Sequence, residues 1–213
     1  MSSFANKLFV NTWLNPNQIE FTWLDRCEKD YETLKNTKLP KQSSIQTVPQ
    51  KIWDMQKIPA NPETKEGFVP EKSIFELLAW YQPLHKHTLH DYGIYLTDAG
   101  IVKVAESLQL GLTAHNVRLI RRQLLFWAAN VLYLHELGHA LIERLAYAME
   151  TDTEQYYSKA ANTYHGFIFM EEALCNTFVC GMHQLVIEKY CPAEFSELNQ
   201  HTHVMKDVLM SYK

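Results

Sequence analysis

Residues 132–141, LYLHELGHAL, place two histidines and a glutamate inside an otherwise apolar run. Ionisable groups among leucines cost free energy unless something binds them or pairs with them. His135 and His139 are four residues apart, so on a helix their imidazoles lie on one face and can hold the same ion. The run therefore predicts a buried helix that carries a binding site.

The composition limits the classes of protein to which the chain can belong. Of its 213 residues, 46% are hydrophobic and only seven are glycine, which with the long periodic stretches predicts a largely helical globular fold. The net charge of −4 argues against a nucleic-acid partner, because such partners usually require a basic face. Charged residues and histidines interrupt residues 119–147, so we expect no membrane span. The four cysteines form no C-x-x-C pair and no signal peptide is recognisable, so we expect a cytoplasmic protein.

The chain divides near residue 70 into two parts of different character. We expect residues 1–70 to be a helical N-terminal segment followed by an irregular linker. The helices are predicted over 2–14 and from 15 to about 36, and the prolines scattered through 37–70 predict the linker. Residues 71–213 are expected to form the main domain.

Within 71–213 we predict mainly α-structure (an α+β class) with a small antiparallel β-sheet or hairpin. A helix over 73–81 is expected to end at Pro83. The β-favouring runs 93–96 and 101–104 predict a hairpin, and a helix beginning at Thr97 or Asp98 is the competing interpretation. Residues 151–154, TDTE, resemble a capping box that opens a new segment. Further helices are predicted over residues 113–149, 166–190 and 194–211.

The spacing HELGH at 135–139 is H-E-x-x-H, in which two histidines hold zinc and the glutamate is the general base. His135 and His139 are thus candidate metal ligands, and Glu136 is the candidate catalytic base. Glu143, one turn beyond His139, is expected to form a surface ion pair. Since catalytic zinc usually takes three protein ligands, a third must come from elsewhere in the chain.

Residues 169–179, FMEEALCNTFV, offer that third ligand on a second predicted helix. Glu172 is our first choice. Asn176 lies four residues on, shares its face, and is placed to hydrogen-bond a ligating imidazole. Glu171, which points elsewhere on the helix, and His165, in the preceding loop, are the alternative third ligands.

HELGH and EEALCN together resemble the gluzincin class of zinc metallopeptidases. The run containing Glu172, Asn176 and Phe178 is similar to small intracellular peptidases of the ImmA/IrrE type, in which a glutamate opens an E-x-x-A-N motif and ligates zinc. The resemblance covers about residues 92–190, and Cys175 stands where that family usually has alanine. It implies a zincin-like domain with one zinc ion per chain. The ligands implied are His135, His139 and Glu172, with Glu136 as base and Asn176 in support.

The expected function is hydrolysis of peptide bonds in a protein or peptide substrate by a zinc-activated water. A strand such as 93–96 is expected to pair with an extended substrate. Tyr156, Tyr157, Tyr164 and His165, between the two helices, are candidate donors to the oxyanion, and nothing selects among them. The alternative is a regulatory or binding protein that keeps a zinc site without proteolysis. The sequence does not indicate an oligomeric state.

Overall fold

The computed structural model describes residues 5–8, 22–37, 78–82, 93–153 and 165–211. These residues are mainly helical with a small antiparallel sheet, as the sequence predicts. The elements in chain order are β1 (Ala5–Leu8), α1 (Thr22–Lys29), α2 (Tyr31–Asn36), β2 (Ala79–Gln82), β3 (Gly93–Thr97), α3 (Asp98–Ala114), α4 (Arg121–Thr153), α5 (His165–Tyr190), a 3₁₀ helix (Ala193–His201) and α6 (Thr202–Ser211). The predicted linker and the predicted boundary near residue 70 lie outside the described residues.

The sheet is antiparallel, with β3 between β1 and β2. Ile94 and Leu96 of β3 are fully buried, whereas Tyr95 between them is partly exposed, as the alternation of a half-buried strand requires. Tyr95 stacks on Trp80 of β2, its partner in the register, at a ring-centroid distance of 5.1 Å. One face of the sheet therefore packs on the helical core, and the other carries an aromatic pair.

The helices predicted over 2–14 and 73–81 are wrong where the structure describes them. Ala5–Leu8 and Ala79–Gln82 are strands that pair with opposite edges of β3. Short apolar runs carry little periodicity, so local pattern does not separate helix from strand, and pairing with a distant strand decides the outcome. In the rest of the N-terminal region, α1 and α2 agree with the predicted helix that ends near residue 36.

The predicted hairpin over 93–104 is also wrong, and the competing interpretation of a helix from Asp98 is correct. Thr97 is the N-cap of α3, and its Oγ1 accepts a hydrogen bond from the backbone N–H of Gly100 at 2.9 Å. The same hydroxyl donates to the carbonyl of Leu78 at 3.0 Å. A Cβ on Gly100 would overlap that carbonyl, so this glycine lets the start of α3 approach the chain entering β2.

The single helix predicted over 113–149 corresponds to the end of α3 and most of α4 in the structure. α3 ends at Ala114 and a turn containing Asn116, with a φ of 57°, precedes α4. Residues 151–153 form the last turn of α4, so the capping box predicted to open a segment there is wrong. α5 matches the predicted helix over 166–190 closely, whereas the one predicted over 194–211 is split into the 3₁₀ helix and α6.

α4 is the central element and contacts α1, α3, α5, β2 and β3. Its residues 123–136 are all buried, which explains the apolar run that precedes the histidines. Near its N-terminus, Arg122 forms ion pairs with Asp25 and Glu28 of α1 at 2.8 and 3.1 Å. In the described part of the chain, no helix combines the length and apolar character needed to cross a bilayer.

Candidate functional site

The candidate site lies where α4 packs against α5. His135 contacts Asn176, and His139, one turn later, contacts Glu171 and Glu172, so the two helices run antiparallel. Gly138 faces Cys175 at this crossing, and a Cβ on the glycine would lie 2.9 Å from the Cys175 Sγ. The two motifs that the sequence singled out are therefore brought face to face.

Three of the predicted site residues converge on one point. His135 Nε2 lies 3.2 Å from Glu172 Oε2, and His139 Nε2 lies 3.4 Å from Glu172 Oε1. The two Nε2 atoms are 3.3 Å apart. One ligand atom from each residue lies within 4.8 Å of the others. Two imidazoles and a carboxylate at this spacing form a donor set that could hold one divalent cation.

Hydrogen bonds on the far side of each ring orient the two imidazoles. His135 Nδ1 lies 3.2 Å from Asn176 Oδ1, and His139 Nδ1 lies 2.8 Å from Glu171 Oε1. Because amide and carboxylate oxygens are acceptors, each Nδ1 carries a hydrogen, so Nε2 is the nitrogen of each ring that could donate a lone pair to a cation. Asn176 therefore lies where the sequence predicts it.

Glu171, an alternative third ligand in the sequence analysis, is not part of the convergent group. It contacts the outer nitrogen of His139, whereas Glu172 lies by the inner one. The periodicity of α5 places Glu171 off the face of Glu172, but it does not reveal this contact. For His165, the other alternative, the structure describes only the backbone, which begins α5.

The cluster is enclosed and contains an unsatisfied polar atom. His135 is 1% exposed. Glu172 Oε2 is buried and makes no hydrogen bond, although it lies within ion-pair distance of His135 Nε2. Leaving a buried carboxylate oxygen without a hydrogen bond is costly, and a cation between the three residues would satisfy it.

The protonation of the metal-free cluster follows from these contacts. Burial raises the pKa of Glu172, but the neighbouring imidazoles of His135 and His139 outweigh it and lower the pKa to about 2. Burial lowers the pKa of His139, but hydrogen bonds to Cys175, Glu171 and Glu172 outweigh it, so its pKa is raised above the ordinary value. Because a metal ligand must be the deprotonated ring, a cation that binds here competes with a proton for His139.

Glu136 is buried beside the cluster and is not one of its three convergent residues. It follows His135 directly on α4, only 3% exposed, and its charge contributes to the raised pKa of His139. Its carboxylate thus lies close enough to act electrostatically on His139.

The prediction for Glu143 is wrong. It is only 8% exposed, so it is not a surface residue, and it accepts a hydrogen bond from the hydroxyl of Tyr81 on β2. Tyr81 was missed because residues 73–81 were predicted as a helix, and no local signal links it to a residue 62 positions away. Glu136, His139 and Glu143 recur at helical spacing, so β2 is tied to the part of α4 that carries the site.

The predicted substrate strand also needs correction. β3, which contains 93–96, has a neighbouring strand on each side and offers no free edge. Within the described residues, β2 is paired on one side only and contacts α4. Tyr156, Tyr157 and Tyr164, three of the predicted oxyanion donors, fall outside the described residues, and the side chain of the fourth, His165, is not described.

We compared the chain with models of known protein families, with curated proteins and with solved structures, and none of them matched.

Proposed function

We propose that the protein is a zinc metallopeptidase of the gluzincin type with a zincin-like fold, in which His135, His139 and Glu172 hold one zinc ion. One observation carries the proposal. Two antiparallel helices bring two imidazole nitrogens and a carboxylate within 4.8 Å of one another, with a further buried glutamate, Glu136, beside them. This donor set, with both imidazoles turned by hydrogen bonds on Nδ1, is typical of catalytic zinc sites.

The donor set suits zinc on chemical grounds. Two neutral imidazoles and one carboxylate would hold zinc through three protein ligands, the number that is typical of catalytic sites, whereas closed structural sites use four. The buried Glu172 Oε2, which makes no hydrogen bond, gains a partner when a cation binds. Once bound, zinc supplies a Lewis acid and a water nucleophile at neutral pH.

Residues of the chain supply the proton transfer and hold the imidazoles in place. Glu136 takes the proton from the attacking water as the new C–O bond forms, and it delivers that proton to the amine that leaves when the C–N bond breaks. Asn176 and Glu171 keep the two imidazoles turned toward the ion. Enclosure of His135 and Glu136 lowers the local dielectric and strengthens these interactions.

The proposed substrate is a protein or peptide in an extended conformation. Among the residues that the structure describes, β2 pairs with a strand on one side only, and main-chain groups on its other side could hydrogen-bond an extended chain. A regulatory or binding protein that keeps a zinc site without proteolysis is the alternative. The buried Glu136 carboxylate favours the enzyme, because a site that only binds metal does not need a base.

The substitution Glu136→Gln tests the hydrolase proposal. The variant is expected to retain zinc and to lose at least about a hundredfold in cleavage of a denatured-protein or peptide library, read by mass spectrometry of new termini. Glu188→Gln, at an exposed position of α5, is the matched control and should cleave as the wild type does. Undiminished cleavage by Glu136→Gln would contradict the proposed role of Glu136 as general base. A zinc-loaded wild type that cleaves nothing in the library would favour the alternative.

A further inference from the structure

We propose that Glu171 is a positioning residue that fixes the orientation of His139 and strengthens it as a metal ligand. The inference rests on the proposed metal site and extends it to a residue outside the three ligands. Its basis is the 2.8 Å contact between Glu171 Oε1 and His139 Nδ1. Consecutive residues of α5 thus contact opposite nitrogens of one imidazole, Glu171 on the outer side and Glu172 on the inner side.

The two candidate ligands are held by acceptors of different chemistry. His135 is held by an amide oxygen at 3.2 Å, whereas His139 is held by a carboxylate oxygen at 2.8 Å. A hydrogen bond to a charged acceptor is shorter and about twice as strong as a neutral one. A carboxylate on the outer nitrogen also makes the imidazole a more basic ligand. The chain therefore places its stronger orienting group on His139.

The difference in burial gives a reason for this arrangement. The side chain of His135 is 1% exposed, whereas that of His139 is 17% exposed. The ring of His135 is thus almost fully enclosed. The ring of His139 lies nearer the solvent, where packing encloses it less, and the hydrogen bond to Glu171 adds a directed restraint. Glu171 is itself largely shielded from solvent, so water competes only weakly for that bond.

Metal affinity tests the inference without a substrate. Zinc affinity is measured by competition with a chromophoric chelator for the wild type, Glu171→Ala and Glu171→Gln, and cobalt(II) absorption reports the coordination geometry. We expect Glu171→Ala to bind one ion about 10–100-fold more weakly with an unchanged cobalt(II) spectrum. Glu171→Gln keeps an acceptor oxygen for His139 and should recover part of the loss. Glu188→Gln, at an exposed position of α5, is the control and should bind as the wild type does.

Two results would overturn the inference. Affinity of Glu171→Ala within about twofold of the wild type would show that His139 needs no such restraint. Complete loss of binding in Glu171→Gln, equal to that in Glu172→Ala, with the circular-dichroism spectrum retained, would identify Glu171 as a ligand. Both results are separable from failure of the proposed hydrolysis, because that is read from cleavage by Glu136→Gln and this from metal affinity.

Discussion

A Cβ atom on Gly138 would lie 2.9 Å from the Sγ and 3.1 Å from the Cα of Cys175. The two helices that carry the site therefore approach at a position where only glycine fits without a shift. Gly138 immediately precedes His139, and Cys175 is followed by Asn176, so this contact helps set the distance across which Glu172 meets the imidazoles. The thiol of Cys175 is thus part of the helix interface.

We expect Gly138→Ala to destabilise the fold and to weaken metal binding. Alanine favours a helix by up to about 1 kcal/mol over glycine, but overpacking against buried atoms costs about 1–3 kcal/mol. Chemical denaturation and zinc titration measure the two effects. Gly181→Ala is the matched control, since nothing lies within 4 Å of a Cβ at this exposed position on α5 and the change should stabilise slightly. Equal behaviour of the two variants would show that the helices tolerate separation at Gly138.

Tyr81→Phe is expected to lower the free energy of unfolding by about 1–3 kcal/mol, because it removes a hydrogen bond from a buried carboxylate. The partner lost is the phenol that donates to Glu143 and ties β2 to α4. Urea denaturation of Tyr81→Phe, Glu143→Gln and the double variant gives the coupling free energy between the two side chains. A coupling near zero would contradict a stabilising role for this bond.

The stability of the fold should depend on the protonation of His183 in α5. Burial lowers the pKa of His183 below its ordinary value of 6.5. The unfolded chain therefore takes up the proton first as pH falls through 6.5, and stability is lost toward acid, by at most about 1.4 kcal/mol per pH unit for one proton. Denaturation between pH 7.5 and 5 should show a shallower pH dependence for His183→Gln than for the wild type. His203→Gln, at an exposed position on α6, is the control and should follow the wild type.

Metal binding should release a proton and weaken as pH falls. Burial lowers the pKa of His139, but hydrogen bonds to Cys175, Glu171 and Glu172 outweigh it and raise the pKa, so the metal-free ring holds its proton to higher pH than a free imidazole does. An ion needs the deprotonated ring, so apparent affinity should rise about tenfold per pH unit for one displaced proton. Calorimetry in buffers of different ionisation enthalpy counts the protons released. Binding without proton release would contradict the proposed involvement of His139.

The sequence predicted the cluster of His135, His139 and Glu172 because both motifs lie on long helices. A spacing of four residues places His135 and His139 on one face of their helix, and Glu172 and Asn176 on one face of theirs. Helix boundaries were less predictable. Thr97 caps a helix through its hydroxyl where β-favouring residues predict a hairpin, and the same hydroxyl donates to the carbonyl of Leu78, 19 positions away.

The contacts that the sequence did not predict depend on tertiary structure. The bond between Tyr81 and Glu143 requires a strand that local pattern mistakes for a helix. The contact of Glu171 with His139 could be found only from the three-dimensional position of the imidazole ring. Helical spacing shows only that Glu171 lies off the face of Glu172. Sequence spacing thus identifies residues that share one helix face, and the structure adds the residues that reach them from other elements.

Anomalous diffraction at the zinc edge from crystals grown with zinc tests the proposed metal site. We expect one strong peak per chain, about 2.0–2.2 Å from His135 Nε2, His139 Nε2 and a Glu172 carboxylate oxygen. The peak should be missing in crystals of Glu172→Ala or greatly reduced there. A wild-type crystal with no peak between these side chains, or with its only strong peak at other residues, would contradict the proposed zinc site.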